Sequence, residues 1–222
     1  MTRIRFQQSL DDLKGKLLVM AGMAEQQIQR AVEASRVRDL SICALVDHSE
    51  LAINRMEREI DQAALDLLAM EQPMAIDLRF ILAVIKINSD VERVGDAAKS
   101  ISDRVRSMDT MAAADLPVDI PRMASLASNM VRRSLQAFIE ADADLARTVL
   151  SMDDAVDGMN RAAHTALASL MAAESHRAPQ ALTALMVCRS LERVADHATN
   201  IAEDVIFWVK GADVRHQGDL EA

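Results

Sequence analysis

The run Ser190-Leu191-Glu192-Arg193-Val194-Ala195-Asp196-His197-Ala198-Thr199-Asn200-Ile201-Ala202-Glu203-Asp204 has a relative about a hundred residues earlier, Asp90-Val91-Glu92-Arg93-Val94-Gly95-Asp96-Ala97-Ala98-Lys99-Ser100-Ile101-Ser102-Asp103. Both carry Glu-Arg-Val-x-Asp, then Ala two residues on and Ile three after that. The apolar members, Val91, Val94, Ala98 and Ile101 or Leu191, Val194, Ala198 and Ile201, recur in steps of three and four. That spacing is the seam of a bundle helix. A duplicated amphipathic helix at this separation predicts an all-α chain built from two similar halves.

Composition points the same way. The chain has 222 residues, half of them apolar, with six Gly, four Pro, no Tyr and only 2 % aromatics. It is rich in Ala, Leu, Met, Glu, Gln and Arg, the better helix formers, and poor in the aromatic residues that strands favour. A net charge of −9 argues against broad binding to nucleic acid or to an anionic membrane and permits cation binding. Cys43 and Cys188 sit in apolar helical runs and read as core thiols of a reducing compartment. The start Met1-Thr2-Arg3 leads into a polar, amphipathic stretch, and no run approaches the roughly 20 apolar residues of a membrane span. The expectation is a soluble, cytoplasmic protein with no direct membrane insertion.

Six long helices follow from the apolar stripes. The first is expected from Ser9 to Val37, with Ser9, Asp11 and Asp12 at its start. The second is capped by Asp39 and ends near Gln72-Pro73, since a residue before Pro resists the α region. The third begins within Met74–Asp77 and carries Val84, Ile87, Val91, Val94, Ala98, Ile101 and Val105. Leu116-Pro117 and Ile120-Pro121 then break any helix. The second half repeats the plan: a fourth helix, a turn near Ala141–Asp144, a continuous fifth helix through Val149, Met152 and Val156, and a sixth after Pro179 that Gly211 closes. Two tandem antiparallel three-helix bundles are therefore expected: residues 1–112, a linker at 113–121, residues 122–211, and a flexible tail at 212–222. One continuous six-helix bundle is the alternative.

The repeated polar residues lie off the seam. At about 100° per residue, Glu92 falls about 125° and Asp96 about 165° from the seam's centre, and Glu192, Asp196, Asn200 and Glu203 follow suit. A solvated face is the ordinary reading of such residues. Against it, Glu and Asp at i and i+4 repel each other, where a solvated face would place Lys or Arg. Moreover, the second helix carries Glu50, Asn54, Glu57 and Asp61, and the fifth carries Asp153, Asp157, Asn160 and His164, each set one residue after a seam position. Neighbouring helices thus bring acidic edges together, and crowded carboxylates want a cation: magnesium, manganese, iron, or zinc where a histidine joins. The candidate ligands are Glu57, Asp61, Glu92 and Asp96 in the first half and Asp153, Asp157, Glu192, Asp196 and Asn200 in the second, with His164 and His197 as further nitrogen donors. Arg93 and Arg193 read equally as partners of these carboxylates or as anion binders. There is no Gly-rich phosphate loop, no Gly-x-Ser-x-Gly and no Cys/His pairing at a defensible distance, so no catalytic residue is assigned. A metal-dependent hydrolase and a purely structural helical protein remain as other classes.

The stretch Leu191-Glu192-Arg193-Val194-Ala195-Asp196-His197-Ala198-Thr199-Asn200-Ile201-Ala202-Glu203 resembles the signature of the PhoU family of phosphate-transport regulators. Glu71-Gln72-Pro73-Met74-Ala75-Ile76-Asp77-Leu78-Arg79 resembles that family's Gln-Pro-x-Ala-x-Asp-Leu-Arg stretch, and the likeness runs from about Phe6 to Gly211. The resemblance implies tandem three-helix bundles whose Glu/Asp-x-x-x-Asp motifs bind metal on the outer surface, carried here by Glu57/Asp61, Glu92/Asp96, Asp153/Asp157 and Glu192/Asp196. It also implies a dimeric adaptor between the ATPase subunit of a phosphate ABC transporter and a phosphate-sensing histidine kinase, restraining phosphate-starvation signalling. The first repeat departs from the second: Ala97 stands where His197 does, and Lys99 where Thr199 does. Asn160 and His164 likewise stand where the second helix has Glu57 and Asp61. The two sites are expected to differ in metal or occupancy.

Overall fold

The computed structural model describes residues 3–108, 111, 114–212 and 214, so nearly all of the expected tail at 212–222 lies outside the described residues. Among the described residues there are seven α-helices: α1 (Arg3–Val37), α2 (Leu40–Glu71), α3 (Ile76–Met108), α4 (Ile120–Glu140), α5 (Ala143–Leu150), α6 (Asp153–Ala173) and α7 (Ala178–Lys210), with one 3-10 turn at Ser175–Arg177 before α7. No β-strand occurs among the described residues.

The helix ends follow local chemistry. Asp39 caps α2 by accepting from the Ser41 amide at 2.8 Å, and Gln72 closes it in the left-handed region immediately before Pro73. Asp119 caps α4 through the Arg122 amide, and Asp142 caps α5 through the amides of Asp144 and Leu145. Pro121 and Pro179 sit inside the first turns of α4 and α7, where a missing N–H breaks no bond. The linker expected at 113–121 therefore contains the first two residues of α4. Gly211, at φ 70°, ends α7 by donating to the Phe207 carbonyl.

Two expectations need correction. The first helix starts at Arg3, not Ser9, and the Ser9 hydroxyl bonds back to the Arg5 carbonyl from within the helix. The turns before Leu10 are mostly exposed, so no apolar stripe announced them. The fifth helix is broken at Ser151–Met152 into α5 and α6. Ser151 Oγ bonds the Thr148 carbonyl and the Met152 amide bonds that of Val149, a tightened turn that lets the chain restart. Asp153 and Asp154 then open α6, where free amides favour negative charge. Val149 and Val156 remain fully buried either side of the break, which is why the seam looked continuous.

Helices α1, α2 and α3 pack on one another, as do α4, α5, α6 and α7, and the two halves are joined chiefly along α3 and α7. These two run antiparallel: Arg79 reaches the Trp208 carbonyl, Lys86 pairs with Asp204 at 2.8 Å, and Asp90 meets His197 and Asn200. One hydrophobic cluster spans both halves. The joint uses a second seam on each long helix, at steps of seven: Ala83, Asp90 and Ala97 on α3, and Thr183, Ser190, His197 and Asp204 on α7, all buried. Small and hydrogen-bonded side chains let two helices approach closely here.

At one end of the joint three rings meet from three helices. Phe80 stacks on Phe138 at 5.9 Å between centroids, and Trp208 lies at 5.2 Å and 5.3 Å from them. Aromatic pairs at this range add to the burial of each ring. Phe138 is fully buried. Replacing it with Ala is expected to destabilise the fold by about 3–5 kcal/mol, read from urea unfolding; a loss under about 1 kcal/mol would show that the junction closes without it.

Candidate metal site

The repeat reappears in the coordinates as a repeat of burial. Residues 91–98 and 191–198 show the same order of buried, half-buried and exposed positions, with Glu92 and Glu192 half-buried and Asp96 and Asp196 exposed. Each Glu/Asp pair lies one helical turn apart on the flank of its long helix that faces α2 or α6.

In the first half α2 supplies the facing side chains. Glu50, Glu92 and Asp96 each offer a carboxylate oxygen within 4.8 Å of the others, the one such group of metal-capable side chains among the described residues. Glu50 is buried, held by Gln27 Nε2 of α1 at 2.9 Å. Burial is the main force raising the Glu50 carboxyl above its ordinary value, opposed by the Gln27 hydrogen bond and reinforced by Asp96. Glu92 is pushed up to about 7, first by burial and then by Asp96, Glu57 and Glu50, with Arg93 opposing. Glu57 is raised by burial and by Asp61. Asp61 itself accepts Asn88 Nδ2 at 2.9 Å, and the same amide donates to the Glu57 carbonyl, tying α3 to α2 just beyond the cluster.

The acidic edge ends abruptly one turn past Asp96. Lys99 pairs with Asp47 and Asp103, and Arg106 pairs with the same two carboxylates. Those acids are paired with cations, whereas Glu50, Glu57, Glu92 and Asp96 crowd together, and burial with mutual repulsion raises the carboxyls of Glu50, Glu57 and Glu92.

The second half presents Asp153 from the first turn of α6 against Glu192 and Asp196 of α7. Asp153 is pushed up to about 6, by burial first and then by Asp157, Asp196, Asp154 and Glu192. Glu192 rises through burial and Asp196; Asp196 rises through burial and Asp157, with His197 and Arg193 opposing. Asp157 shares its charge with Arg161 at 3.1 Å. These four acids interact electrostatically, yet no three of them bring ligand atoms within mutual reach as the first-half trio does.

Asn200 and the two histidines stand elsewhere. Asn200 Nδ2 donates to Asp90 Oδ1 at 3.2 Å, across the α3/α7 joint and away from Glu192 and Asp196. His197 is buried in the same joint, its Nδ1 at 2.9 Å from Asp90 Oδ1, and His164 is exposed on α6. Asn200 lies almost opposite its own seam, and its amide serves α3. Glu50, which spacing places in the acidic set of α2, was not among the candidate ligands: it stands seven before Glu57 on the same flank, but its partner Gln27 is hidden inside the apolar stripe of α1.

The first-half donors fit a small cation. They are all oxygen, which suits magnesium, manganese or iron better than zinc. Buried oxygens without hydrogen-bond partners stand in both clusters: Asn54 Oδ1, on the same flank of α2, and Asp153 Oδ1. Such orphaned acceptors are uncommon unless something else satisfies them.

Comparison with known proteins places the chain. The PhoU domain family model matches residues 17–105 and 120–205. The chain is 37% identical to the phosphate-specific transport system accessory protein PhoU homolog of Pseudomonas aeruginosa over 96% of its length and 89% of that relative's. It is 31% identical to the phosphate-specific transport system accessory protein PhoU of Escherichia coli K12, over 98% and 90%. The crystal structure of PhoU from Pseudomonas aeruginosa superposes with a TM-score of 0.90 at 36% identity, covering 93% of this chain and 100% of that one. That of the phosphate transport system regulatory protein PhoU from Streptococcus pneumoniae gives 0.87 at 26%, covering 94% and 99%. With its duplicated helical halves and near-full-length matches, this chain belongs to the PhoU family.

Proposed function

We propose that the protein is a metal-binding regulatory adaptor in phosphate homeostasis. It restrains phosphate uptake and phosphate-starvation signalling by linking the ATPase subunit of a phosphate ABC transporter to a phosphate-sensing histidine kinase. It acts in the cytoplasm as a homodimer and without catalysis of its own. The phosphate assignment is supported by the names its relatives carry, accessory proteins of phosphate-specific transport systems. The observation that carries the metal assignment is the convergence of Glu50, Glu92 and Asp96 within 4.8 Å. Among the described residues no helix is long and apolar enough to cross a membrane, in keeping with a partner that docks onto a transporter.

Glu57 stands beside the trio, with Asp61 tied back to Asn88; Asp153, Asp157, Glu192 and Asp196 form the second, looser cluster. A bound cation would supply positive charge between α2 and α3, relieving the repulsion among carboxylates that those helices otherwise hold together. Chelation is expected to lower the melting temperature, most at low salt where like charges are least screened. Equal melting curves with and without chelator at low salt would remove the structural role for metal.

Proton binding gives an independent check. Glu92 and Asp153 are raised from 4.5 and 3.8 to about 7 and about 6, so the folded chain holds protons that the unfolded chain has released. Stability from these groups is present below their unfolded values and is lost as pH rises through the folded ones. The metal-free protein should therefore melt at progressively lower temperature between about pH 5 and pH 7.5, and Glu92→Gln should flatten that slope. Glu33 and Asp39, whose carboxyls are lowered by Arg36 and by the Ser41 cap, act in the opposite sense and only at more acid pH. A melting temperature that climbs with pH across this window would contradict the crowding described here.

The adaptor role is tested by capture from phosphate-replete cells, with metal analysis of the same sample. The transporter ATPase or the kinase is expected to co-purify, and the isolated protein to show no metal-dependent turnover of phosphate esters. Turnover abolished by Asp196→Ala, with neither partner captured, would favour a hydrolase instead.

A further inference from the structure

The first half differs from the second in how its ligand side chain is held. Gln27 is fully buried on α1, yet both bonds from its Nε2 go to α2: 2.9 Å to Glu50 Oε2 and 3.3 Å to the Val46 carbonyl. Val46 lies one helical turn before Glu50, so the amide spans that turn and fixes the carboxylate against it. Its own Oε1 accepts no hydrogen bond and is turned toward α3 at Gly95.

Gly95 makes this arrangement possible. A Cβ there would lie 3.1 Å from Gln27 Oε1, 3.2 Å from Ile53 Cδ1 and 3.6 Å from Glu50 Oε2. The first two contacts are tighter than side chains normally tolerate, and the atoms they press on are the amide and its neighbour. Glycine weakens a helix interior relative to alanine, so its place in mid-α3 is explained by space, not by helix preference. The repeat position in α7 is Ala195, buried and bearing the Cβ. The buried face of α4 offers only two polar side chains, Ser128 and Ser134, and the Ser134 hydroxyl bonds the Val131 carbonyl. At the corresponding places the second half thus has no slot at position 195 and no long amide on the buried face of α4.

We propose that Gln27 is a positioning residue that pre-sets Glu50 as a metal ligand through the room left by Gly95, making the first half the tighter of two unequal cation sites. The inference rests on the metal-binding reading above. A glutamate fixed before binding loses less conformational freedom on binding. Partners that orient a ligand commonly change metal affinity by about 10–100-fold.

Manganese(II) titrated into the metal-free full-length chain, with electron paramagnetic resonance reading free and bound ion, tests it. The wild type should show a tight and a weak class. Glu50→Gln should remove the tight one, while Glu192→Gln with Asp196→Asn should leave it. In that second background Gln27→Met should weaken binding about 10–100-fold and alter the bound-ion spectrum, with helical circular dichroism retained. Gly95→Ala should act in the same direction, and decides the matter if Gln27→Met fails to fold. A Gln27 that only supports the core would lower the melting temperature and leave first-half affinity unchanged. That result, with Glu50→Gln still weakening binding, overturns the positioning role alone. Loss of the tight class in the Glu192/Asp196 variant reverses the order of the halves. No manganese uptake by any form overturns the metal reading and this inference with it.

Discussion

Everything distinctive about this molecule depends on how closely α3 and α7 approach. The two helices lie antiparallel at the centre, each serving its own bundle with one flank and the other bundle with a second. Ala83, Ala97, Thr183 and Ser190 keep the contact thin, while Lys86–Asp204 and Asp90 with His197 and Asn200 satisfy the polar groups it buries. The contact also orients the rest: the flank left over on each long helix must face α2 or α6, and that is where Glu92, Asp96, Glu192 and Asp196 stand. The acidic edges are positioned by what happens on the opposite side of the helix.

Much of the fold was legible because it is written in strong, periodic signals. Apolar steps of three and four marked the seams, and Asp39, Pro73 and Gly211 marked ends with a mechanism behind each. The joint between the halves was not legible, because its seam is made of Ala, Ser, Thr, Asp and His, which carry no hydrophobic signature. The same cause hid where Asn200 and His197 bond: polar and next to acids, they read as members of the acidic edge, whereas both meet Asp90. The break at Ser151–Met152 escaped because Val149 and Val156, seven apart, keep their phase across it.

The candidate site was legible in kind but not in detail. Helical spacing brings out Glu57, Glu92, Asp96, Asp153, Glu192 and Asp196 as outward acids on adjoining flanks. It does not reveal which of them lack cationic partners. Lys99 and Arg106 neutralise Asp47 and Asp103 one turn beyond Asp96, and only three-dimensional packing shows that their reach stops there. Spacing puts Glu50 in the acidic set of α2 but does not show its burial, which depends on a third helix. The duplication has therefore produced two halves alike in path but unlike in the chemistry of their flanks.

The ring junction has an optical consequence. With no tyrosine in the chain and Trp208 its sole tryptophan, near-ultraviolet emission comes from one indole. That indole sits against Phe80 of one half and Phe138 of the other, while the Arg79 guanidinium bonds its backbone carbonyl. Any shear between the halves, whether driven by a partner or by a cation at the distant acidic edges, changes the surroundings of that single chromophore. The protein thus carries a built-in fluorescent gauge of the alignment of its two halves.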